Sequence, residues 1–459
     1  MSTIADKLQD LIDAKADMKS AIKYRDVDVD GGLVTYADAI SEIGARIGSF
    51  GYPIGKDETE YCFQWNKDYN VIDATTGVWI LYGAPYKDRP YENAYKMDMC
   101  YWGYPKWKIR GGQHLGAARR VFANFPNLLY VPMIDVSAAD DVVGLYADCK
   151  KLRGVAGFDT SSFTSLEMLF YDCLELRNIG HLNTAHITNM HAMFNGCLKL
   201  KTLPKLSVNS LVEATGMFYE CESLKKFPID FSKNAIEYAS LMFNGCKQLS
   251  KIDGDFYVGR ITDASLMFNG CSNLTSVPNF VGEFAQADGA GMFKGCKSLT
   301  SVSNLNTSGL VSTGGMFARC TSLKSVPTLN TSDVVDMTNM FASCDNLTSV
   351  GILDASKVKE FEDVFDYCNE LEDVGGFRNL GMPPDFHRAV GKKVSFGRSP
   401  KLTKQSLLNI IYNLYDRYGN YGAGSERPIV FNYVSIEKLT DNEISIMTNK
   451  GWIVEAVDL

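Results

Sequence analysis

The chain has 459 residues, with 46 Lys and Arg against 54 Asp and Glu, a formal net charge of −8 and a pI of about 5.3. This acidic balance disfavours general nucleic-acid binding. The N-terminus, MSTIADKLQDLIDAKADMKS, lacks the apolar region of a signal peptide, and no run of 18 apolar residues exists to cross a membrane. We therefore expect a protein made and assembled in a cytoplasm, without membrane insertion.

Residues 1–48 are predicted to form a helical segment for oligomerisation or docking. Their apolar residues follow the 4,3 spacing of a heptad seam, with Lys15 in the middle. The seam residues are Ile4, Leu8, Leu11, Met18 and Ile22. The alternative is a pair of amphipathic helices that pack on each other or on the next domain.

Residues 49–112 are predicted to form a small β domain rich in aromatic residues. Fourteen Tyr, Trp and Phe residues lie between Tyr52 and Trp107, including four of the five tryptophans. The stretches 61–65 (YCFQW) and 78–83 (VWILYG) have the composition of strands. The aromatic residues either form the core of this domain or supply a surface for stacking on sugars or anchoring a partner.

Residues 113–402 carry a repeat of 24 or 25 residues, marked by one cysteine per repeat. The ten cysteines are Cys149, Cys173, Cys197, Cys221, Cys246, Cys271, Cys296, Cys320, Cys344 and Cys368. Such a period is typical of a solenoid with one supersecondary unit per repeat. Single cysteines spaced this far apart do not match zinc sites. In a stack of equivalent repeats, each cysteine has the same neighbours on either side, so no particular disulfide pairing is favoured. We predict a ladder of reduced, buried thiols and no metal.

Within the unit 330–351 the apolar residues predict a short helix followed by a strand. Val334, Met337, Phe341 and Cys344 would form one helical stripe, and residues 347–350 a strand with apolar ends. Atypical copies at 122–128 and 396–402 flank the array, and residues 403–459 predict a helix, strand, helix and strand that cap it. The fold class is thus α/β, a repeat solenoid preceded by the helical segment and the β domain.

One basic column stands out on the predicted strands. The first variable position is Arg153, Arg177, Lys201 and Lys225 in four successive repeats, and stacking would place these side chains about 5 Å apart. Like charges in register cost stability. Either the long side chains spread into water, or an anionic partner offsets the repulsion.

No signature of catalysis or of a cofactor is present. Nucleophile-elbow, zincin, phosphate-loop and dinucleotide-binding motifs are absent. Three of the five histidines, His181, His186 and His191, are spaced by five residues, which places them on different elements. We therefore expect neither an enzyme nor a cofactor.

The frame MFxxCxxLxxVPxLNTSxVxxM resembles the BspA-like leucine-rich-repeat family over about residues 120–402. This resemblance implies a curved solenoid with parallel strands on one face, and adhesion or binding to proteins or glycans. The N-terminal segment 3–22 (TIADKLQDLIDAKADMKSAI) and the C-terminal segments 402–417 (LTKQSLLNIIYNLYDR) and 438–452 (KLTDNEISIMTNKGW) resemble the ends of fibre proteins from phages that infect gut bacteria. This second resemblance implies a virion protein assembled in the host cytoplasm.

Three functional hypotheses follow from these resemblances. The first is a phage fibre or adhesin that binds a host surface protein or glycan, forms a homo-oligomer (a trimer by analogy with fibres) and contacts other virion proteins through its N-terminus. The second is a bacterial intracellular or surface interaction protein. The third, least favoured, is a fibre enzyme that depolymerises a glycan.

Overall fold

The computed structural model describes residues 70–73, 78–82, 107–110, 120, 122–124, 130–131, 134–139, 141–155, 157–225, 229–303, 305–383, 385, 393–422 and 424–458. From Phe122 to Val457 the chain winds as a solenoid of short, mostly parallel strands around one continuous apolar core. The solenoid predicted from the cysteine spacing is therefore confirmed.

The strands are short until the last repeats, where they lengthen to six residues. They are β1 Asn70–Asp73, β2 Val78–Tyr82, β3 Trp107–Arg110, β4 Tyr130–Val131, β5 Ile134–Ala138, β6 Gly154–Val155, β7 Asn178–Ile179, β8 Asp255–Tyr257, β9 Asn279–Val281, β10 Ala287–Asp288, β11 Leu310–Ser312, β12 Ser325–Val326, β13 Ser349–Val350, β14 Leu353–Asp354, β15 Asp373–Val374, β16 Phe377–Arg378, β17 Val394–Phe396, β18 Arg427–Asn432 and β19 Trp452–Val457. The sheets on the solenoid pair in parallel, as β4-β6-β7, β8-β9, β10-β11, β12-β13-β15, β14-β16 and β17-β18-β19. Strands one repeat apart are therefore direct neighbours.

The segment predicted as a helix in each repeat is instead a series of tight turns, and this part of the prediction is wrong. In the unit around Phe341, successive backbone N–H groups donate alternately to a carbonyl of the same repeat and to a carbonyl of the next repeat. The N–H of Met340 donates to Met337 at 3.1 Å and that of Cys344 to Phe341 at 3.1 Å, whereas the N–H of Phe341 donates to Val364 at 2.9 Å. Because half of the donors serve the neighbouring repeat, the i to i−4 bonds of an α-helix do not form.

Two left-handed residues in each turn segment also exclude a helix. In the same unit these are Asn339 at φ 57° and Ser343 at φ 60°. Four of the glycines that precede cysteine occupy the second of these positions, with φ between 72° and 76°. They are Gly196, Gly245, Gly270 and Gly295. A left-handed non-glycine residue costs about 1–2 kcal/mol, and the bonds between repeats offset that strain.

A ladder of stacked rings runs through the core along the solenoid. Neighbouring rings lie 5.1–5.8 Å apart between centroids and are nearly parallel. Its members are Phe122, Tyr146, Phe170, Phe194, Phe218, Phe243, Phe268, Phe293, Phe317, Phe341, Phe365, Phe396 and Phe431. The ladder includes the two atypical flanking copies, so the same core extends beyond the ten cysteine repeats.

Among the described residues, α-helices occur only in the C-terminal region. They are α1 Lys404–Asn413, α2 Arg417–Tyr421, α3 Tyr433–Ile436 and α4 Asp441–Asn449, interleaved with β18 and β19 in the predicted order. A capping box between Thr440 and Glu443 begins α4. The Lys450 ammonium donates to the carbonyls of Ile411, Tyr412 and Leu414 at the end of α1, at 2.9–3.2 Å. This contact joins the end of α1 to the turn between α4 and β19.

On the N-terminal side, β1 and β2 pair antiparallel, and β2, β3 and β5 continue that sheet in parallel. The predicted strand at 78–83 is observed as β2. The predicted helical segment and its seam of Ile4, Leu8, Leu11, Met18 and Ile22 lie outside the described residues. So does the predicted strand at 61–65.

Candidate ligand-binding face

Each repeat presents two outward residues immediately after a buried leucine. The leucines, among them Leu152, Leu200 and Leu347, are fully buried in the core. We call the two residues before and the two residues after each of these leucines, from Lys150 to Asp373, the strand face. The register between repeats is fixed by backbone bonds, such as the N–H of Thr348 to the carbonyl of Lys324 at 2.9 Å. Side chains at equivalent positions therefore form columns along the solenoid.

The four predicted basic residues lie in one of these columns. The N–H of Arg177 donates to the carbonyl of Arg153 at 3.0 Å, which makes them direct neighbours. Lys201 and Lys225 are exposed, whereas the two arginines are half-buried. Arg177 also lies 3.7 Å from the Glu175 carboxylate of its own repeat. The column is thus a row of cations in which the first two side chains are half-buried and the last two are exposed to solvent.

The strand face changes character along its length. After Lys225 the same column continues with exposed hydroxyl residues, Ser250, Thr275 and Thr300. It then carries Lys324 and Thr348, and it ends with Glu372, which lies beside Asp373. The face is therefore most basic at its N-terminal end, hydroxyl-rich in the middle, where Lys297 and Lys324 are the remaining cations, and acidic at its C-terminal end.

The hydroxyl residues were not singled out from the sequence as site residues. The second outward column contains Ser276, Ser301, Ser325 and Ser349, and bridges join Ser301 to Ser325 and Ser325 to Ser349. The Thr275 and Thr348 hydroxyls also donate to the carbonyls of the preceding repeat, at 3.2 and 3.0 Å. The sequence contained the information needed to find them, because an alignment of the repeats on their cysteines places all of these hydroxyl residues at two equivalent positions.

The cysteine ladder is reduced and buried, as predicted. All ten thiols are free. Each Sγ donates to the carbonyl of the stacked aromatic residue in the preceding repeat, at 2.9–3.3 Å. Burial raises the pKa of Cys320 and of Cys368 to about 12. These thiols are therefore protonated groups buried in the core.

The three central histidines do not converge, as their spacing predicted. His181 lines a shallow groove of about 440 Å³ with Gly157, Phe158, Asp159 and Asn183. Hydrogen bonds from Ser161 hold the pKa of Asp159 below its usual value, and the nearby His186 adds a smaller effect in the same direction. His191 lies apart, 4.0 Å from Glu213. Within the described residues no three His, Cys, Asp or Glu side chains are grouped to hold a metal ion.

The repeats place the chain in a known protein family. Residues 140–280 and 287–380, together just over half of the chain, match the family described as "Mycoplasma protein of unknown function, DUF285", and the chain belongs to that family. The resemblance to BspA-like leucine-rich-repeat proteins is confirmed at the level of the repeat and the solenoid. No curated protein matches the chain.

Among solved structures, a leucine-rich repeat protein from Eubacterium ventriosum matches with 11% sequence identity and a TM-score of 0.25. The match covers 68% of this chain and 91% of that protein. At this TM-score the likeness adds nothing to what the solenoid itself shows.

Across the part of the chain that the structure describes, no helix has the length and apolar character that a membrane crossing requires.

Proposed function

We propose that this chain is a non-enzymatic adhesin of a phage virion, a fibre-type structural protein whose solenoid binds a host surface protein or glycan. The observation that carries the proposal is the polarised strand face, with Arg153, Arg177, Lys201 and Lys225 in one column at its basic end. A long regular face suits an extended ligand that makes many similar contacts.

The binding mechanism rests on charge in register. Neighbouring cations about 5 Å apart repel one another, and an anionic ligand laid along the column relieves that repulsion. Each exposed ion pair contributes about 1 kcal/mol or less, so binding depends on the whole column. Arg177, which pairs with Glu175 at 3.7 Å, exchanges that partner for the ligand.

The N-terminal region completes the proposed role. Residues 1–48 hold the copies together through Ile4, Leu8, Leu11, Met18 and Ile22 and dock on other virion proteins, with a trimer favoured by analogy with fibres. The protein is assembled into the virion in the host cytoplasm. The solenoid then faces outward.

A second candidate is a bacterial intracellular or surface leucine-rich-repeat module for protein interaction. The family match favours it, because that family is described from Mycoplasma. Neighbouring genes separate the two candidates: portal, capsid and tail genes beside this one support the virion, and their absence supports the bacterial module.

Attachment of the full-length chain to host cells tests the proposed function. A variant with Ser at positions 153, 177, 201 and 225 should lose attachment while its melting temperature stays equal or rises, because mutual repulsion is removed. A matched control replaces Lys233, Lys294, Lys357 and Lys359, which lie outside the strand face, and should attach normally. Unchanged attachment by the first variant would refute the assignment of the column.

A further inference from the structure

We propose that the ligand of the strand face is a linear acidic polysaccharide that lies along the solenoid with about one sugar ring per repeat. This inference rests on the proposed function and names its substrate class. The occupied region would extend from Lys150 through the hydroxyl-rich repeats and end before Glu372.

The first support is the charge of the strand face over its first five repeats. Among its described residues between positions 150 and 251, nine are basic and two are acidic. The basic residues are Lys150, Lys151, Arg153, Arg177, Lys199, Lys201, Lys225, Lys247 and Lys251, and the acidic ones are Glu175 and Glu222. Since the whole chain carries a net charge of −8, this face is a local reversal of sign that selects an anion.

The second support is the hydroxyl array that follows the basic end. Thr275, Ser276, Thr300 and Ser301 are all exposed and occupy both outward columns of two successive repeats. Hydroxyl groups can donate and accept, which matches the mixed donors and acceptors of sugar hydroxyls. A polyanion without hydroxyls would use the basic end alone.

The third support is the spacing of the columns. Neighbouring repeats lie about 4.8 Å apart in the hydrogen-bonding direction of a parallel sheet. One ring of an extended sugar chain has a similar length, so a polyuronate laid along the column keeps step with the repeats, and those carboxylates that face the protein can each meet a cation. The periodicity of the protein then matches that of the ligand.

The composition of the face argues against a protein partner. Interfaces between proteins depend on buried aromatic anchors such as Trp and Tyr. The large apolar side chains that are exposed among the described residues, including Tyr238, Ile352, Tyr367 and Tyr412, all lie outside the strand face. A polar, hydrated ligand fits this surface better than an apolar one.

Direct binding of the full-length chain to defined polymers tests the inference. The probes are polygalacturonate, dextran sulfate, neutral dextran, a poly-Glu peptide and single-stranded DNA, each at low and high salt. We expect binding to at least one of the two acidic polysaccharides, which also distinguishes a carboxylate from a sulfate ligand. The affinity should fall on the order of tenfold or more in the variant with Ser at 153, 177, 201 and 225, and the off-face control should bind normally.

A second variant that combines Thr275→Val, Ser276→Ala, Thr300→Val and Ser301→Ala tests the hydroxyl array. It should weaken polysaccharide binding at every salt concentration and leave poly-Glu binding unchanged. Host attachment that depends on the column, combined with binding to poly-Glu or DNA but to neither acidic polysaccharide, would overturn the ligand class and leave the adhesin role standing. If the Ser variant kept both host attachment and polymer binding, the ligand class and the adhesin role would both be overturned.

Discussion

Raising the pH should unfold the solenoid, because its core contains thiols that ionise at a much higher pH in the native state than in the unfolded chain. Burial is the largest cause of the raised pKa of each thiol from Cys173 to Cys368, and for Cys320 and Cys368 the value reaches about 12. In the unfolded chain a thiol has a pKa of about 8.5. More than about one pH unit below that value both states are protonated and the native state keeps its full stability. Above it the unfolded chain alone loses protons, so stability falls until the native pKa is reached.

The magnitude follows from the number of buried thiols. Each contributes a loss of about 1.4 kcal/mol per pH unit once the unfolded thiol is ionised. Nine thiols have a pKa that burial raises. If the solenoid unfolds as one unit, the loss sums to about 12 kcal/mol per pH unit, which equals the whole stability of an ordinary domain. If it unfolds repeat by repeat, each repeat loses the single-thiol value.

Equilibrium urea unfolding under reducing conditions, from about pH 7 to about pH 10, measures this loss. Stability should be flat up to about pH 7.5, begin to fall as the unfolded thiols start to ionise, and fall steeply above about pH 8.5. Replacing Cys271 by Ala should lower stability at neutral pH and make the alkaline slope shallower by about 1.4 kcal/mol per pH unit. A Lys233→Ser control should leave the slope unchanged. Stability that stays constant to about pH 10 would refute the buried thiol ladder.

Three further predictions follow from the core, the cap and the N-terminal segment. A thiol reagent should label few of the ten ladder cysteines in the native chain and all of them after unfolding, as counted by mass spectrometry; rapid native labelling would contradict their burial. The Ser399 hydroxyl is buried without a hydrogen-bond partner, whereas that of Ser406 accepts from the N–H of Val374 at 2.8 Å. In urea unfolding, Ser399→Ala should therefore be neutral or stabilising, and Ser406→Ala should cost about 1 kcal/mol. A large loss of stability from Ser399→Ala would show that the Ser399 hydroxyl has a partner. Leu11→Asp should reduce the copy number of the full-length chain in light scattering, and a wild-type monomer would exclude an N-terminal oligomerisation seam.

The sequence predicted the solenoid because its repeat is exact in the core. One cysteine and one leucine recur in every repeat, and both are fully buried. The turn segments escaped prediction for a physical reason: their buried residues recur every three or four positions, which is also the period of a helix. The bonds that decide between the two structures link one repeat to the next, and a local pattern carries no trace of them. Some left-handed positions are occupied by residues other than glycine, such as Leu241 and Asn339, so the sequence did not mark them as left-handed.

The candidate site was predictable in part. The basic column could be read from the repeat spacing alone, since equivalent positions must stack. The half-burial of Arg153 and the contact between Arg177 and Glu175 depend on how side chains fold back on the surface, which spacing does not encode.

Lysine footprinting of the full-length chain, free and bound to host cell envelope, shows whether the basic column contacts the host. Lys201 and Lys225 should become protected from acetylation on binding, while Lys233 and Lys357, which lie outside the strand face, should react as before. Protection of Lys233 and Lys357 with Lys201 and Lys225 still reactive would contradict that contact.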